Sequence, residues 1–438
     1  MDSKKNFAIE IVRILHEHGY EALFAGGCVR DKVMGKIPHD YDIATNALPE
    51  DVIKIFPRTV PVGIQFGVVL VLCDTLQFEV ATFRREGGYE DGRRPTSVEF
   101  TSSREDVLRR DFTVNGLLYD PLLEKTIDYV EGIEDIQKKR IRTIGNPYQR
   151  FSEDKLRLLR AIRFASHLDF EIDSETWQAL VKLVPEIQVV SPERIRDELV
   201  KIFTGDHPGK GLELLDRSGF LKVILPEVEA MKGVEQPPEF HPEGDVYVHT
   251  KMLLDQLSGV DKILALGALL HDIGKPPTQT VSDRIRFNNH QNVGAQMSEC
   301  ILKRLRFSNQ EIENITSCVQ NHMTFKDVKE MREAKLKRFM SRPTFVAELE
   351  LHRIDCLASH GILENWHFLK EKYEELKKEV PRPQPILTGH DLIQMGYPPG
   401  PLFKEILTAV EDACLEKTLR TSDEAKVWVK EKYPLPIF

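Results

Sequence analysis

FAGGCVRDKVMGKIPHDYDIAT, residues 24–45 of a 438-residue chain, carries the pattern on which the reading of the fold turns. EALFAG, at its start, is a short apolar strand, Gly26-Gly27 is a turn into a helix beginning near Val29, and YDIAT is again strand-like. Asp40 and Asp42 stand two apart in that β-rich stretch, so both carboxylates are expected on one face of one strand. About 6–7 Å apart along it, they can share divalent ions. One Mg²⁺ would hold the phosphates of a nucleoside triphosphate while another lowers the pKa of an attacking hydroxyl, which is two-metal phosphoryl transfer. Gly26 and Gly27 precede the helix with Arg30 and Asp31, where bare backbone can approach phosphate oxygens and the helix N-terminus adds positive potential. Alone, a DxD or a Gly-Gly turn is commonplace. The information lies in their combination as GGxVRD, a short spacer and DxD.

Working outward, residues 1–145 form a mixed α/β head, with a helix over about 6–19 and further strand-like runs at GVVLVLC and LQFEVATF. RREGGYEDGRRPTSVEF, between them and the next motif, reads as a long loop. Past Ser152 the strand signal fades, and helices are expected near 153–167, 174–183, 192–203 and 210–219 within a neck spanning 146–240. The Pro-rich break VEQPPEFHPEG leads to a helical domain over 241–378, and EVPRPQPILTG to a helical tail over 379–438. The fold class is therefore α+β, a small mixed sheet with helices followed by all-α parts. At roughly 150 residues per domain, two to four domains fit this length.

Composition sets limits. With 41% hydrophobic and 29% charged residues the chain is that of a globular protein, and no apolar run suits a membrane span. Six scattered cysteines without a CxxC pair exclude a zinc ribbon and predict a reducing cytoplasm. A net charge of −9 argues against non-specific coating of nucleic acid. Yet Lys138, Lys139, Arg140, Arg142, Arg150, Lys155, Arg157, Arg160 and Arg163 form a basic run against two acids, either a track for RNA or a solvated face.

Within that run, Asp154 and Arg157 are spaced i, i+3 and are expected to share a helix face. Cytosine and adenine each present an amino donor beside a ring-nitrogen acceptor, which a carboxylate and a guanidinium complement. Uracil and guanine reverse that order and would leave groups unpaired, at about 1–3 kcal/mol each. The bland alternative is a surface ion pair. Arg160 and Arg163 continue the face and are expected to bind phosphates. Glu79, on a strand near the DxD, is a candidate third carboxylate or a structural acid.

A second constellation occupies the later helices: His249, His271-Asp272, His290, His322 and Asp355. Adjacent His and Asp at a helix end, closed by Gly274, can both reach one metal. The mixed set suits Mn²⁺, Fe, Ni²⁺ or Mg²⁺ better than structural zinc.

The motifs, in order, resemble the class II tRNA nucleotidyltransferase and bacterial poly(A) polymerase family of the polymerase-β-like superfamily. GGCVRD…HDYDIAT is similar to its first motif, which implies metal positions at Asp40 and Asp42. LRRDFTVNGLLYD resembles the second, which implies roles at triphosphate and ribose for Arg109, Arg110, Asp111 and Asn115; Gly116 stands where the family usually has alanine. SEDKLRLLRAIRF resembles the nucleotide-selecting motif, SPERIRDEL the one after it, and PILTGHDLIQMGYPPGPLFKEIL the tRNA-holding tail. The resemblance implies tRNA, CTP and ATP as substrates, addition of C and A to tRNA 3′ ends, no membrane and no obligate protein partner. The loop YEDGRRP argues against CC-only addition and VGIQFGVVLV against the poly(A) version, leaving A-only addition as the near alternative. Residues 245–360 resemble the HD phosphohydrolases. That implies a metal set of His249, His271, Asp272 and Asp355, extended by His290 and His322 in two-metal members, and phosphatase or 2′,3′-cyclic phosphodiesterase activity. A different class of answer is an HD phosphohydrolase with a silent RNA-binding head.

Overall fold

The structure is a computed structural model that describes residues 3–89, 95–237, 244–378, 386–416 and 418–434. Most of YEDGRRP (90–94) and the centres of both Pro-rich breaks (238–243, 379–385) lie outside the described residues. The chain divides into two compact units. One is Met1–Glu229 with Leu257–Val260 and Arg304–Phe307; the other is Ala230–Gln256, Asp261–Lys303 and Ser308–Phe438.

The first unit begins α1 (Ser3–Glu17), β1 (Ala22–Ala25), α2 (Gly27–Val33), β2 (Ile43–Thr45) and α3 (Pro49–Ile55). It continues β3 (Thr59–Gly63), β4 (Val68–Cys73), β5 (Leu76–Thr82), β6 (Arg84–Tyr89), β7 (Pro95–Phe100), α4 (Ser103–Leu108), β8 (Leu117–Asp120) and β9 (Lys125–Asp128). Seven strands make one mixed sheet in the order β3-β4-β5-β2-β1-β8-β9. Ala8, Ile11, Val12 and Leu15, spaced three and four apart on α1, are buried, as an amphipathic helix requires. In β5, Phe78, Val80 and Thr82 are buried while Gln77 and Glu79 alternate outward. β2 and β5 are parallel with Ile43 opposite Val80, so the residues just before them, Asp42 and Glu79, come side by side.

Two expectations need correction here. The strand starts at Ile43, so Asp40 and Asp42 lie in the extended lead-in rather than on β2, although the Asp42 carbonyl still accepts from Ala25 N–H at 3.0 Å. Residues 84–100 are not simply a loop: β6 and β7 pair antiparallel from Arg84↔Phe100 to Tyr89↔Pro95. Their Gly and Arg content hides the β signal, because pairing there rests on backbone hydrogen bonds rather than on an apolar face.

Helices follow: α5 (Gly132–Gln137), β10 (Arg140–Ile141), α6 (Pro147–Glu153), α7 (Leu156–Leu168), β11 (Glu171–Ile172), α8 (Ser174–Leu183), α9 (Pro192–Phe203), α10 (Pro208–Arg217), α11 (Phe220–Ile224) and α12 (Pro226–Glu229). α8 and α9 run as the apolar spacing predicts. Asp173 caps α8 by accepting from the N–H groups of Glu175 and Thr176, and Pro192 opens α9 at a position where no N–H is needed.

The second unit holds α13 (Val246–Asp255), α14 (Lys262–Leu270), α15 (Lys275–Thr278), the hairpin β12 (Gln279–Val281) and β13 (Ile285–Phe287), α16 (His290–Arg304), α17 (Asn309–Asn321), α18 (Glu333–Met340), α19 (Phe345–Ala358) and α20 (Glu364–Lys378). α21 (Gly389–Gln394), α22 (Pro401–Leu415) and α23 (Ser422–Lys432) close the chain. They gather around Leu392, Ile406, Val410 and Val429, and capping boxes at Thr388/Asp391 and Thr421/Glu424 start two of them. Among the described residues no helix is long and apolar enough to cross a membrane.

Candidate active site and metal centre

In the first unit the site is assembled where β1 ends. Gly26 has φ +72°, ψ −128°, which only glycine adopts without strain, and a Cβ there would lie 3.2 Å from Arg110 Nη1. The turn thus lets a guanidinium rest against backbone. Asp40 is exposed and ion-paired with Lys4, whose Nζ also donates to the His39 carbonyl at 2.7 Å. Partial desolvation, then repulsion from Glu79 and Asp40, raise the Asp42 carboxyl above the usual aspartate range, with Arg110 pulling the other way. A carboxylate whose ionisation is opposed by two neighbouring acids is one that a divalent cation would stabilise. They are a loose set: among the described residues, the groups of three ligand atoms within 4.8 Å of one another all lie in the second unit.

The second motif is tied together by an acid that sequence reasoning passed over. Asp106, buried on α4, takes Arg109 on Oδ1 (2.6 Å) and Arg110 on Oδ2 (2.9 Å). Against its burial, these two arginines hold Asp106 below the usual range. Its only sequence signal is its place three and four residues before the arginine pair. Asp111 is also buried, and Arg160 holds its carboxyl down against desolvation through Nε–H···Oδ2 at 2.7 Å. Asn115 Oδ1 accepts from Arg30 Nη1 at 2.8 Å. Arg30, Arg110, Asp111, Asn115 and Arg160 therefore form one connected array beside Gly26.

Gly116 lacks a side chain for a local reason. A Cβ at this position would come 2.7 Å from Val130 Cγ2 and 3.0 Å from Ile144 Cδ1.

Asp154 and Arg157 do not share a helix face, contrary to their spacing. The chain leaves α6 at Asp154 with φ −141°, ψ 109°, and α7 starts two residues later. Asp154 Oδ1 accepts from Leu156 N–H at 3.0 Å, and Oδ2 accepts from Arg194 of α9 at 2.8 Å. Arg157 donates to Glu153 Oε2 (2.5 Å) and to the carbonyls of Arg150 (2.9 Å) and Arg109 (3.2 Å). The missed partners, Arg194 and Glu198, lie four apart on α9, and Glu198 Oε2 is 3.0 Å from Arg163 Nε. The basic run is correspondingly less available than its composition suggests. Lys138, Arg140, Arg142, Arg150, Lys155, Arg157, Arg160 and Arg163 each face an acid, most of it supplied from outside the run.

In the second unit all six expected residues converge. His249 comes from α13, His271 and Asp272 from the end of α14, His290 from the start of α16, His322 from the end of α17 and Asp355 from α19. A close backbone crossing makes this possible: a Cβ on Gly274 would lie 2.1 Å from the His290 carbonyl and 2.5 Å from Gly294 N. Asp272 sits at the centre. Its Oδ2 is 3.1 Å from His271 Nε2 and 3.9 Å from His249 Nε2; its Oδ1 is 3.6 Å from His290 Nε2 and 3.7 Å from His322 Nε2. His249 Nε2 is also 3.0 Å from Asp355 Oδ1.

The protons can be assigned from the partners. Nδ1 of His271, His290 and His322 lies 2.7–2.8 Å from the carbonyls of Ala268, Phe287 and Val319, which can only accept, so each Nδ1 carries the hydrogen. The Nε2 atoms of all three point inward, the orientation of a metal-ligating imidazole. His290 and His322 Nε2 face each other at 3.2 Å. Desolvation holds His290 below its usual range and His322 down to about 3, so both are neutral at pH 7. Two facing lone pairs repel unless a cation lies between them, and the donor set fits divalent metal. Lys275, unremarked in the sequence, donates to Asp272 Oδ2 at 2.6 Å and to Gln236 Oε1 at 2.5 Å.

Three family descriptions match the chain: the poly A polymerase head domain over 22–142, the RNA and SrmB-binding site of polymerase A over 169–232, and tRNA nucleotidyltransferase domain 2 over 289–427. The CCA-adding enzyme of Enterococcus faecalis is 32% identical over 426 residues, covering 95% of this chain and 93% of that protein. That of Anoxybacillus flavithermus is 32% identical over 435 residues, covering 98% and 97%. A crystal structure of the Bacillus stearothermophilus CCA-adding enzyme in complex with CTP superposes with a TM-score of 0.70 at 29% identity, covering 99% of this chain and 98% of that one. Similarity of this extent and coverage, over the head, helices and tail alike, places the chain in the family of CCA-adding enzymes, the tRNA nucleotidyltransferases.

Proposed function

We propose that the protein adds C and A to tRNA 3′ ends from CTP and ATP, with Asp40 and Asp42 as its catalytic carboxylates. The observation that carries this reading is the electrostatic grouping of Asp42 with Glu79, Asp40 and Arg110, the last resting against the Gly26 turn. Bound Mg²⁺ would supply Lewis acidity and lower the pKa of the attacking 3′-hydroxyl. Arg30, Arg109, Arg110 and Asn115, with Arg160 and Arg163, are the groups to receive triphosphate and ribose, and Gly26 and Gly27 let them approach closely. Asp154 and Arg157 choose the base, Asp154 being oriented by Arg194 and Arg157 by Glu153. The test offers tRNAs ending before CCA, after C and after CC, each with CTP and ATP, and sequences the products. Restoration of CCA on all three supports the reading, A added only after CC supports the A-only alternative, and no extension refutes both.

A second reading is favoured by the inward lone pairs in the other unit. His249, His271, Asp272 and Asp355, with His290 and His322, hold one or two divalent ions, Mn²⁺, Ni²⁺ or Mg²⁺, and hydrolyse phosphate esters such as a 2′,3′-cyclic phosphate. His271→Ala should then abolish metal-dependent hydrolysis and weaken Mn²⁺ binding while leaving nucleotide addition intact. Absence of hydrolysis by the wild type with every divalent metal would remove this reading.

A further inference from the structure

Phe164 looks in the sequence like a core aromatic on an amphipathic helix. The structure gives it other company. Its ring is only half-buried, whereas Phe112, which meets it edge-on at 5.7 Å, is fully buried. The guanidinium carbons of Arg163, Arg160 and Arg30 lie 4.2, 5.4 and 5.8 Å from the Phe164 centroid. At their far sides Arg30 is held by Asn115 and by its neighbour Asp31, Arg160 by Asp111 and Arg163 by Glu198. Three like charges gathered around one point repel. An aromatic face opposes that repulsion, since its negative quadrupole attracts each cation.

We propose that Phe164 is a positioning residue for nucleoside triphosphate binding, its ring holding Arg30, Arg160 and Arg163 in one constellation that meets the phosphates ready-formed. This rests on the reading of the first unit as a CTP and ATP site and deepens it. Preorganisation of this kind acts on ground-state binding and leaves the chemical step unchanged.

The experiment uses the full chain and compares wild type, Phe164→Leu and Phe164→Trp by CTP and ATP binding, by KM and kcat for each nucleotide, and by thermal unfolding. Leucine keeps apolar volume without a π face; tryptophan keeps the face. The expected result is a rise of about three- to tenfold in Kd and KM for both nucleotides with leucine, kcat within about twofold, and recovery with tryptophan to within about twofold. Should the leucine variant not fold, Phe164→Met takes its place. Unchanged Kd and KM with leucine or methionine, or a loss confined to kcat, would overturn the proposal. If wild type binds neither nucleotide, the underlying reading fails instead, so the two failures are separable.

Discussion

Replacing Gly116 with alanine should harm this chain. The backbone at Gly116 (φ −88°, ψ 18°) tolerates alanine, so no conformational strain is involved. The added methyl would sit 2.7 Å from Val130 Cγ2, about 1 Å inside the optimal carbon contact. Val130 is β-branched and has few rotamers in which to withdraw. Overpacking of this kind costs about 1–3 kcal/mol, and loss of glycine's freedom in the unfolded chain returns about 0.4–1 kcal/mol. The net effect expected is about 0–2.6 kcal/mol of destabilisation. Val130→Ala removes the offending methyl, so the double variant should be more stable than the sum of the singles by at least about 0.5 kcal/mol. Urea unfolding can follow this through Trp177 in α8, with Trp366 and Trp428 replaced by phenylalanine. Because neighbouring Asn115 holds Arg30, KM for CTP should rise in Gly116→Ala and fall back in the double variant. Strict additivity, or a Gly116→Ala protein more stable than wild type, would refute the packing argument.

Other consequences follow from the same geometry. Arg194→Ala should release Asp154 and, like Asp154→Ala, relax base choice by about tenfold or more, read as UTP incorporation against CTP; unchanged discrimination would mean that Arg194 does not orient the selector. Gly274→Ala places a methyl against backbone that cannot yield, so Mn²⁺ binding by the second unit should be lost and its unfolding midpoint lowered, and normal binding would contradict the close crossing. His352, stacked on Phe325 at 4.8 Å, is held down to about 4 by desolvation. Its unfolded value lies near 6.5, so the unfolded chain binds one more proton between those limits. Stability of the second unit should therefore rise from pH 4 to 6.5 and fall on acidification, by about 1.4 kcal/mol per pH unit for this proton. His352→Phe keeps the stack and should flatten the slope; an unchanged slope would show that His352 is not its source.

Much of this was legible in the sequence, and the failures have physical causes. β1 and β4 declare themselves as short continuous apolar runs, β5 by alternation, and α8 and α9 by apolar residues at helical spacing. The grouping of six His and Asp residues in the second unit was legible because four histidines and two aspartates recur across its successive helices. The β6–β7 ribbon stayed hidden because glycine and arginine carry no facial pattern. Asp154 and Arg157 were assigned to one helix because spacing cannot reveal that the backbone turns out of α6 at Asp154. Arg194 and Glu198 were missed because each holds a residue far off in the chain, Asp154 and Arg163, and no local spacing marks that; Asp106 stands three and four residues before its arginines, a spacing too common on helices to single it out. The basic run misled in the same way, since the acids that meet it come mostly from elsewhere in the chain.

The most direct test of the central claim is incorporation of labelled CMP and AMP into tRNA lacking its terminal CCA, by wild type and by Asp40→Ala and Asp42→Ala, with tRNA binding measured alongside. The account predicts that both variants bind tRNA as wild type does and add no nucleotide. Incorporation at the wild-type rate by either variant would contradict it.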